Sequence, residues 1–148
     1  MDKQTQAQNY FKEGYNCCQA VVLAFADEVK VDKDTLLMIA SSFGGGMGRL
    51  REVCGAVSAM FIIEGLKDGY TLPNDRVSKA ELYKRIQKLA EEFKKLNGTI
   101  ICRELLKSSE VGGSPETRTP EYYKKRPCVE LVGQAAKIIE NAEKENLF

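Results

Sequence analysis

The chain has 148 residues, 43% of them hydrophobic and 29% charged, with 22 basic against 21 acidic side chains. That length can bury a core without disulfide staples and suits one domain spanning residues 1–148, and so even a charge balance excludes a general electrostatic pull toward nucleic acid or anionic membrane. The sequence contains no histidine, which removes Ser-His-Asp and Cys-His nucleophile pairs, His-ligated zinc and His-ligated haem and leaves proton transfer to Cys, Glu, Asp, Lys or Tyr.

The hydrophobic period is helical almost throughout. A modest amphipathic helix is expected from about Lys3 to Lys12, closed by Gly14. A more apolar one runs from Cys17 to about Val29, with Asn16 as N-cap and Gln19 completing a capping box, and its CCQAVVLAFA stretch belongs near the middle of a bundle. A short helix follows from about Asp34 to Ser42 and ends in FGGGMGR. Four glycines between Gly44 and Gly48 predict tight turns or positive φ. The fourth helix, about Val53 to Lys67, is stopped by Gly69, and its small residues CGAVSA invite a close neighbour. Ser78 and Glu81 form a capping-box pattern for the fifth, whose Leu82, Ile86, Leu89, Phe93 and Leu96 follow at spacings of four and three. Thr99 can cap a short sixth helix through Leu106. Ser108 to Pro120, rich in Ser, Gly, Pro and Thr, reads as a surface loop. Pro127 suits the first turn of a last helix carrying Val129, Leu131, Val132, Ala135, Ala136, Ile138 and Ile139 and fraying near Asn146. The expected fold class is therefore all-α, a bundle of about six to seven helices with a Gly-rich loop.

The start MDKQTQAQNYFKEG lacks the apolar core of a signal peptide, and no apolar run reaches the roughly 18 residues of a membrane span. A cytoplasmic setting and no membrane partner are expected. There, structural disulfides are rare and spare cysteines point to metal or redox chemistry, although a cysteine can also be a small buried hydrophobe. On the helix map Cys17, Cys54, Cys102 and Cys128 each fall at the beginning of a different helix. A helix N-terminus offers partial positive charge and unpaired N–H groups, which stabilise a thiolate and lower its pKa. Arg51, Arg103 and Arg126 stand near Cys54, Cys102 and Cys128 in the chain, either adding positive field or remaining solvated surface charges.

No C-x-x-C is present, which argues against thioredoxin-type exchange, zinc ribbons and ferredoxin motifs but not against a site assembled from facing helices. Cys17 and its neighbour Cys18 point to different faces, so one of the two reaches a shared site. The glycines Gly44, Gly45, Gly46 and Gly48 are candidate ligand contacts: such a segment presents N–H groups to an anion, or simply lets the backbone pass close to the cysteines. It is neither a Walker A loop nor a Rossmann fingerprint. Glu64 is either a buried carboxylate or the solvent side of its helix.

The pieces GYNCCQAV, FGGGMGRL, CGAVSA, CREL and PCVELVGQAA, in that order and across nearly the whole chain, resemble the C_GCAxxG_C_C family, named for its cysteine spacing and described as redox-active. The resemblance implies an all-helical domain with four characteristic cysteines, here Cys17, Cys54, Cys102 and Cys128. Cys18 stands where relatives commonly have alanine, and the CGAxxG motif departs at its final glycine, which is Ala59 here. A helical module in a haem-containing redox protein looks similar and is associated with an iron–sulfur cluster.

Three expectations follow. The first is a redox protein, an oxidoreductase or electron carrier with its own redox partner, in which the four cysteines ligate an iron–sulfur cluster or pair as reversible disulfides. The second is a non-catalytic interaction module with a structural four-cysteine metal site. The third is a helical binding module whose cysteines fill the core. The apolar faces of such a bundle can also support a homodimer.

Overall fold

The computed structural model describes residues 1–108 and 110–145. Among these residues the fold is all-α: eight helices, one 3-10 turn and no strand. Helix α1 (Lys3–Lys12) is capped by Asp2, which accepts from the Thr5 N–H. Helix α2 (Cys17–Ala24) begins with the Asn16–Gln19 capping box. It stops earlier than the hydrophobic pattern suggests, because Phe25 turns into the core and Ala26–Glu28 form a 3-10 turn. Helix α3 (Lys33–Ser41) is capped by Asp32. Then follow α4 (Gly55–Asp68), α5 (Arg76–Asn97), α6 (Cys102–Leu106), α7 (Pro120–Lys125) and α8 (Cys128–Glu145).

The helix beyond the expected six to seven is α7, which starts where the loop reading ended. Pro120 occupies its first turn and Thr119 accepts from the Tyr122 N–H, the usual N-terminal chemistry on only six residues. The expected fraying near Asn146 lies outside the described residues. The start of α5 also differs from expectation. Its N-cap is Asp75, whose carboxylate accepts from the Ser78 N–H at 3.1 Å, so Ser78 lies inside the first turn. A carboxylate accepts more strongly than a hydroxyl and complements the helix dipole, so the aspartate three residues upstream wins the cap.

Helix α2 forms the middle of the bundle, with Cys18, Ala20, Val21, Val22, Leu23 and Ala24 all buried. It packs against α1, α3, α4 and α8. The small residues Gly55, Ala56 and Ala59 of α4 let that helix approach α2, while Phe11, Phe25, Phe93, Leu36, Met60 and Ile63 fill the remaining volume. Helix α5 is peripheral: Leu89 and Phe93 enter the core and Leu96 is left 60% exposed. No helix among the described residues is long and apolar enough to cross a membrane.

Glu64 is only 7% exposed, so the solvent-side reading of it is corrected. One turn further on, Asp68 follows on the same face of α4, and Arg85 of α5 stands 3.9 Å away. Burial, and then the hydrogen bond and charge of Asp68, push the Glu64 carboxyl up to about 7, against the opposing charges of Arg85 and Lys67.

Two outcomes test these elements. Asp75→Ala should destabilise the fold by about 1 kcal/mol in urea titrations while Ser78→Ala changes little. Because the folded state holds the Glu64 proton after the unfolded chain has released it, stability should decline as pH rises from about 4.5 to 7, by roughly 2–3 kcal/mol at most. Glu64→Gln should flatten that slope, and an unaltered pH profile would refute the assignment.

Candidate functional site

Between Gly44 and Arg51 the chain turns with the wrong hand for a helix. Gly45, Gly46, Met47, Gly48, Arg49 and Arg51 all have φ between 60° and 72°. The sequence predicts tight turns or positive φ here, and the backbone takes the second. What it could not announce is that three non-glycine residues share it, each at a cost of about 1–2 kcal/mol. The turn delivers the chain into a short antiparallel pairing, in which Val53 bridges Ile101. The Cys54 N–H donates to the Ile100 carbonyl at 2.8 Å and the Cys102 N–H to the Glu52 carbonyl at 2.6 Å. This pairing sets two of the cysteines side by side.

The cysteines do begin helices. Cys17, Cys102 and Cys128 are the first residues of α2, α6 and α8, and Cys54 is the N-cap of α4. All four line a single cavity of about 290 Å³, together with Gly44, Gly45 and Gly48 of the left-handed turn. Cys54 and Cys102 are 6% and 7% exposed, while Cys17 and Cys128 are half-buried. Cys18 is fully buried and points instead into the core, as its position on the other face of α2 requires. All five are free thiols.

Two glycines make the gathering possible. Gly46 is buried against Cys102: a Cβ added to it would lie 2.5 Å from the Cys102 Cβ and 2.9 Å from the Arg51 Cα. A Cβ on Gly55 would overlap the Cys17 sulfur and approach the Phe43 carbonyl oxygen to 2.8 Å. Gly45 contributes differently, directing its N–H to the Cys17 sulfur. The glycine segment therefore supplies both close backbone passage and an N–H donor. Ala59, the departure from the CGAxxG pattern, is fully buried in the core.

The expectation of lowered thiol pKa values is overturned for three of the four. Burial pushes the Cys17 thiol up, with the nearby Cys102 adding to the shift, and it raises Cys54 well above the ordinary range. Burial and the neighbouring Cys17 push Cys128 up to about 12. Backbone N–H groups do reach Cys17 and Cys54, Ala56 and Val57 serving the latter, but loss of hydration outweighs them. The thiols influence one another across the cavity, Cys17 with Cys54, Cys102 and Cys128. This is not the environment of a reactive, low-pKa nucleophile.

Arg51 proves not to be a solvated charge. It is 3% exposed, and its Nη1 lies 3.7 Å from the Cys102 sulfur while its Nε donates to the Glu110 carbonyl at 3.2 Å. Arg126 lines the cavity, whereas Arg103 lies outside the set of lining residues, half-exposed and paired with Glu52 at 3.3 Å. Sequence reasoning missed Arg49, Glu116 and Arg118, which also line the cavity. Glu116 and Arg118 belong to the segment read as a surface loop, which crosses the cavity as a strap. Arg49 Nε donates to the Gly112 carbonyl at 2.9 Å, and Arg118 donates to the carbonyls of Phe11 and Tyr15. No local pattern marks Arg49 and Arg118, whose backbone partners lie at least 63 positions away, and Glu116 is joined by Arg126, ten positions on, and by Arg49.

Among the described residues no group of three or more Cys, Asp or Glu side chains stands close enough to hold one metal ion. A single tetrahedral ion demands metal–sulfur distances of about 2.3 Å and so a tighter quartet than this one. What the structure does show is four cysteines, from four segments, on the wall of one cavity.

A family model described as "Putative redox-active protein (C_GCAxxG_C_C)" matches residues 15–142. Comparison with curated proteins finds no significant match, and comparison with solved structures finds none either.

Gly46→Ala and Gly55→Ala should each lower stability by about 1–3 kcal/mol in urea unfolding, the first through strain as well as overlap. Gly65→Ala, where nothing lies within 4 Å of the added methyl, should be neutral or stabilising. Equal behaviour of all three would contradict the close approach of backbone to sulfur.

Proposed function

Because the chain belongs to the C_GCAxxG_C_C family, we propose that it is a redox protein in which Cys17, Cys54, Cys102 and Cys128 ligate an iron–sulfur cluster, serving an electron carrier or an oxidoreductase. The observation that carries this reading is the convergence of four cysteines, from four separate segments, on one cavity of about 290 Å³. Cysteine thiols are the soft ligands on this cavity, whose lining includes no methionine among the described residues. An iron–sulfur cluster, when bound, supplies one-electron transfer at a potential set by its ligands and surroundings.

The protein's own residues have definite parts in this reading. The starts of α2, α4, α6 and α8 hold the four sulfurs. The Gly45 N–H at Cys17 and the Arg51 guanidinium near Cys102 stabilise negative charge on sulfur. The strap from Glu110 to Arg118 lines one side of the cavity through Gly113, Pro115, Glu116 and Arg118. Cys18 has no part, being directed into the core.

The test is purification without oxygen, followed by a visible spectrum and iron and sulfide analysis. Brown protein with both elements is expected. Cys→Ser at positions 17, 54, 102 or 128 should each remove most of the iron, and Cys18→Ser should retain it. Colourless protein without iron or sulfide, losing thiols in pairs on mild oxidation, would replace the cluster with reversible disulfides.

A further inference from the structure

The cavity carries more positive charge than its cysteines account for. Four arginines line it, Arg49, Arg51, Arg118 and Arg126, against one carboxylate, Glu116. Arg51 is almost wholly buried, yet no carboxylate lies within 4.0 Å of it among the described residues, and the same holds for Arg118. Both are held by neutral partners instead. Arg51 meets the Glu110 carbonyl and the Cys102 sulfur. Arg118 meets the Phe11 and Tyr15 carbonyls and lies 4.0 Å above the Phe11 ring. Guanidinium groups fixed on neutral acceptors keep their charge available and need no reorganisation to meet an anion.

The remaining two already clasp an anion. Glu116 pairs with Arg126 and stands 3.9 Å from Arg49. The two arginine side chains are 15% and 17% exposed and the glutamate 37%, so this clasp sits at the rim of the cavity. A partly exposed ion pair of this kind holds by about 1 kcal/mol or less and is readily exchanged. The carboxylate comes from the strap, which has no regular secondary structure from residue 110 to 119. An anionic cluster on the cysteines would meet Arg51, the guanidinium in contact with sulfur, and would feel the charges of Arg126 and Arg118 near Cys128. It would leave the rim clasp, which makes no hydrogen bond to sulfur, for another anion.

We propose that Arg49 and Arg126 form the head-group site for a small ligand bearing a carboxylate or oxyanion, bound in the cavity beside the cysteines, and that Glu116 occupies this site when the ligand is absent. The protein then acts on, or is regulated by, a small anion. This goes beyond the redox reading and stands whether or not the thiols hold a cluster.

Calorimetric titration of the oxygen-free protein with inorganic phosphate, and separately with acetate, at constant ionic strength set by sodium chloride, tests the proposal. Saturable binding of at least one is expected. Glu116→Gln, which removes the competing carboxylate, should tighten it by about tenfold, and Arg49→Gln with Arg126→Gln should abolish it. The acetate and phosphate arms separate a carboxylate ligand from an oxyanion one. Absence of saturable binding to the Glu116→Gln protein, or affinity unchanged by that substitution, overturns the proposal even if the double arginine variant fails to fold. Iron and sulfide measured on the same samples keep the two readings apart: anion binding without iron removes the cluster alone, and iron without anion binding removes the arginine site alone.

Discussion

The pairing of residues 52–54 with 100–102 governs the rest of the site. Through the Val53–Ile101 bridge and its flanking hydrogen bonds, it joins the start of α4 to the start of α6, whose residues are otherwise far apart in the chain. Gly46 then fits into the corner so formed, against the Cys102 side chain and the Arg51 backbone, where no Cβ has room. That corner adds to the turn's contacts with α2 and α4 in holding its unfavourable backbone angles in place.

The site is expensive to maintain. Three thiols are driven toward their protonated form by burial and by one another, a guanidinium is buried with no carboxylate within 4.0 Å among the described residues, and three non-glycine residues stay in the left-handed region. Features of this kind persist when the surrounding structure over-determines them, and they concentrate where chemistry takes place. The remainder of the bundle is conventional by comparison: capped helices, an apolar α2 in the centre, and small residues where α4 meets it.

The positive lining and the cysteines also bear on each other. Thiolates, or a cluster they ligate, are stabilised by nearby guanidinium charge in a poorly hydrated cavity, where electrostatic interactions are weakly screened. Arg51 adjoins the sulfur set, whereas Arg49 and Arg126 face Glu116 at the rim. A single cavity thus presents a sulfur-rich interior and a cationic entrance.

By itself the sequence determined the helical class, the Asn16 capping box, the positive φ of the glycine segment and the placement of four cysteines at helix beginnings, because each depends on residues within one or two turns of each other. The family resemblance singled out the same four cysteines over Cys18. Tertiary structure alone decided the ionisation of Cys17, Cys54 and Cys128, since desolvation depends on everything packed around a group and here outweighs the N–H groups that reach Cys17 and Cys54. It also turned Arg51 and Glu64 inward and drew Glu116 and Arg118 out of an apparently featureless loop onto the cavity. Nothing local distinguishes these residues from solvated surface charges: Arg51 and Arg118 act through partners more than fifty residues away, and the burial of Glu64 and the placement of Glu116 on the cavity depend on the packed chain.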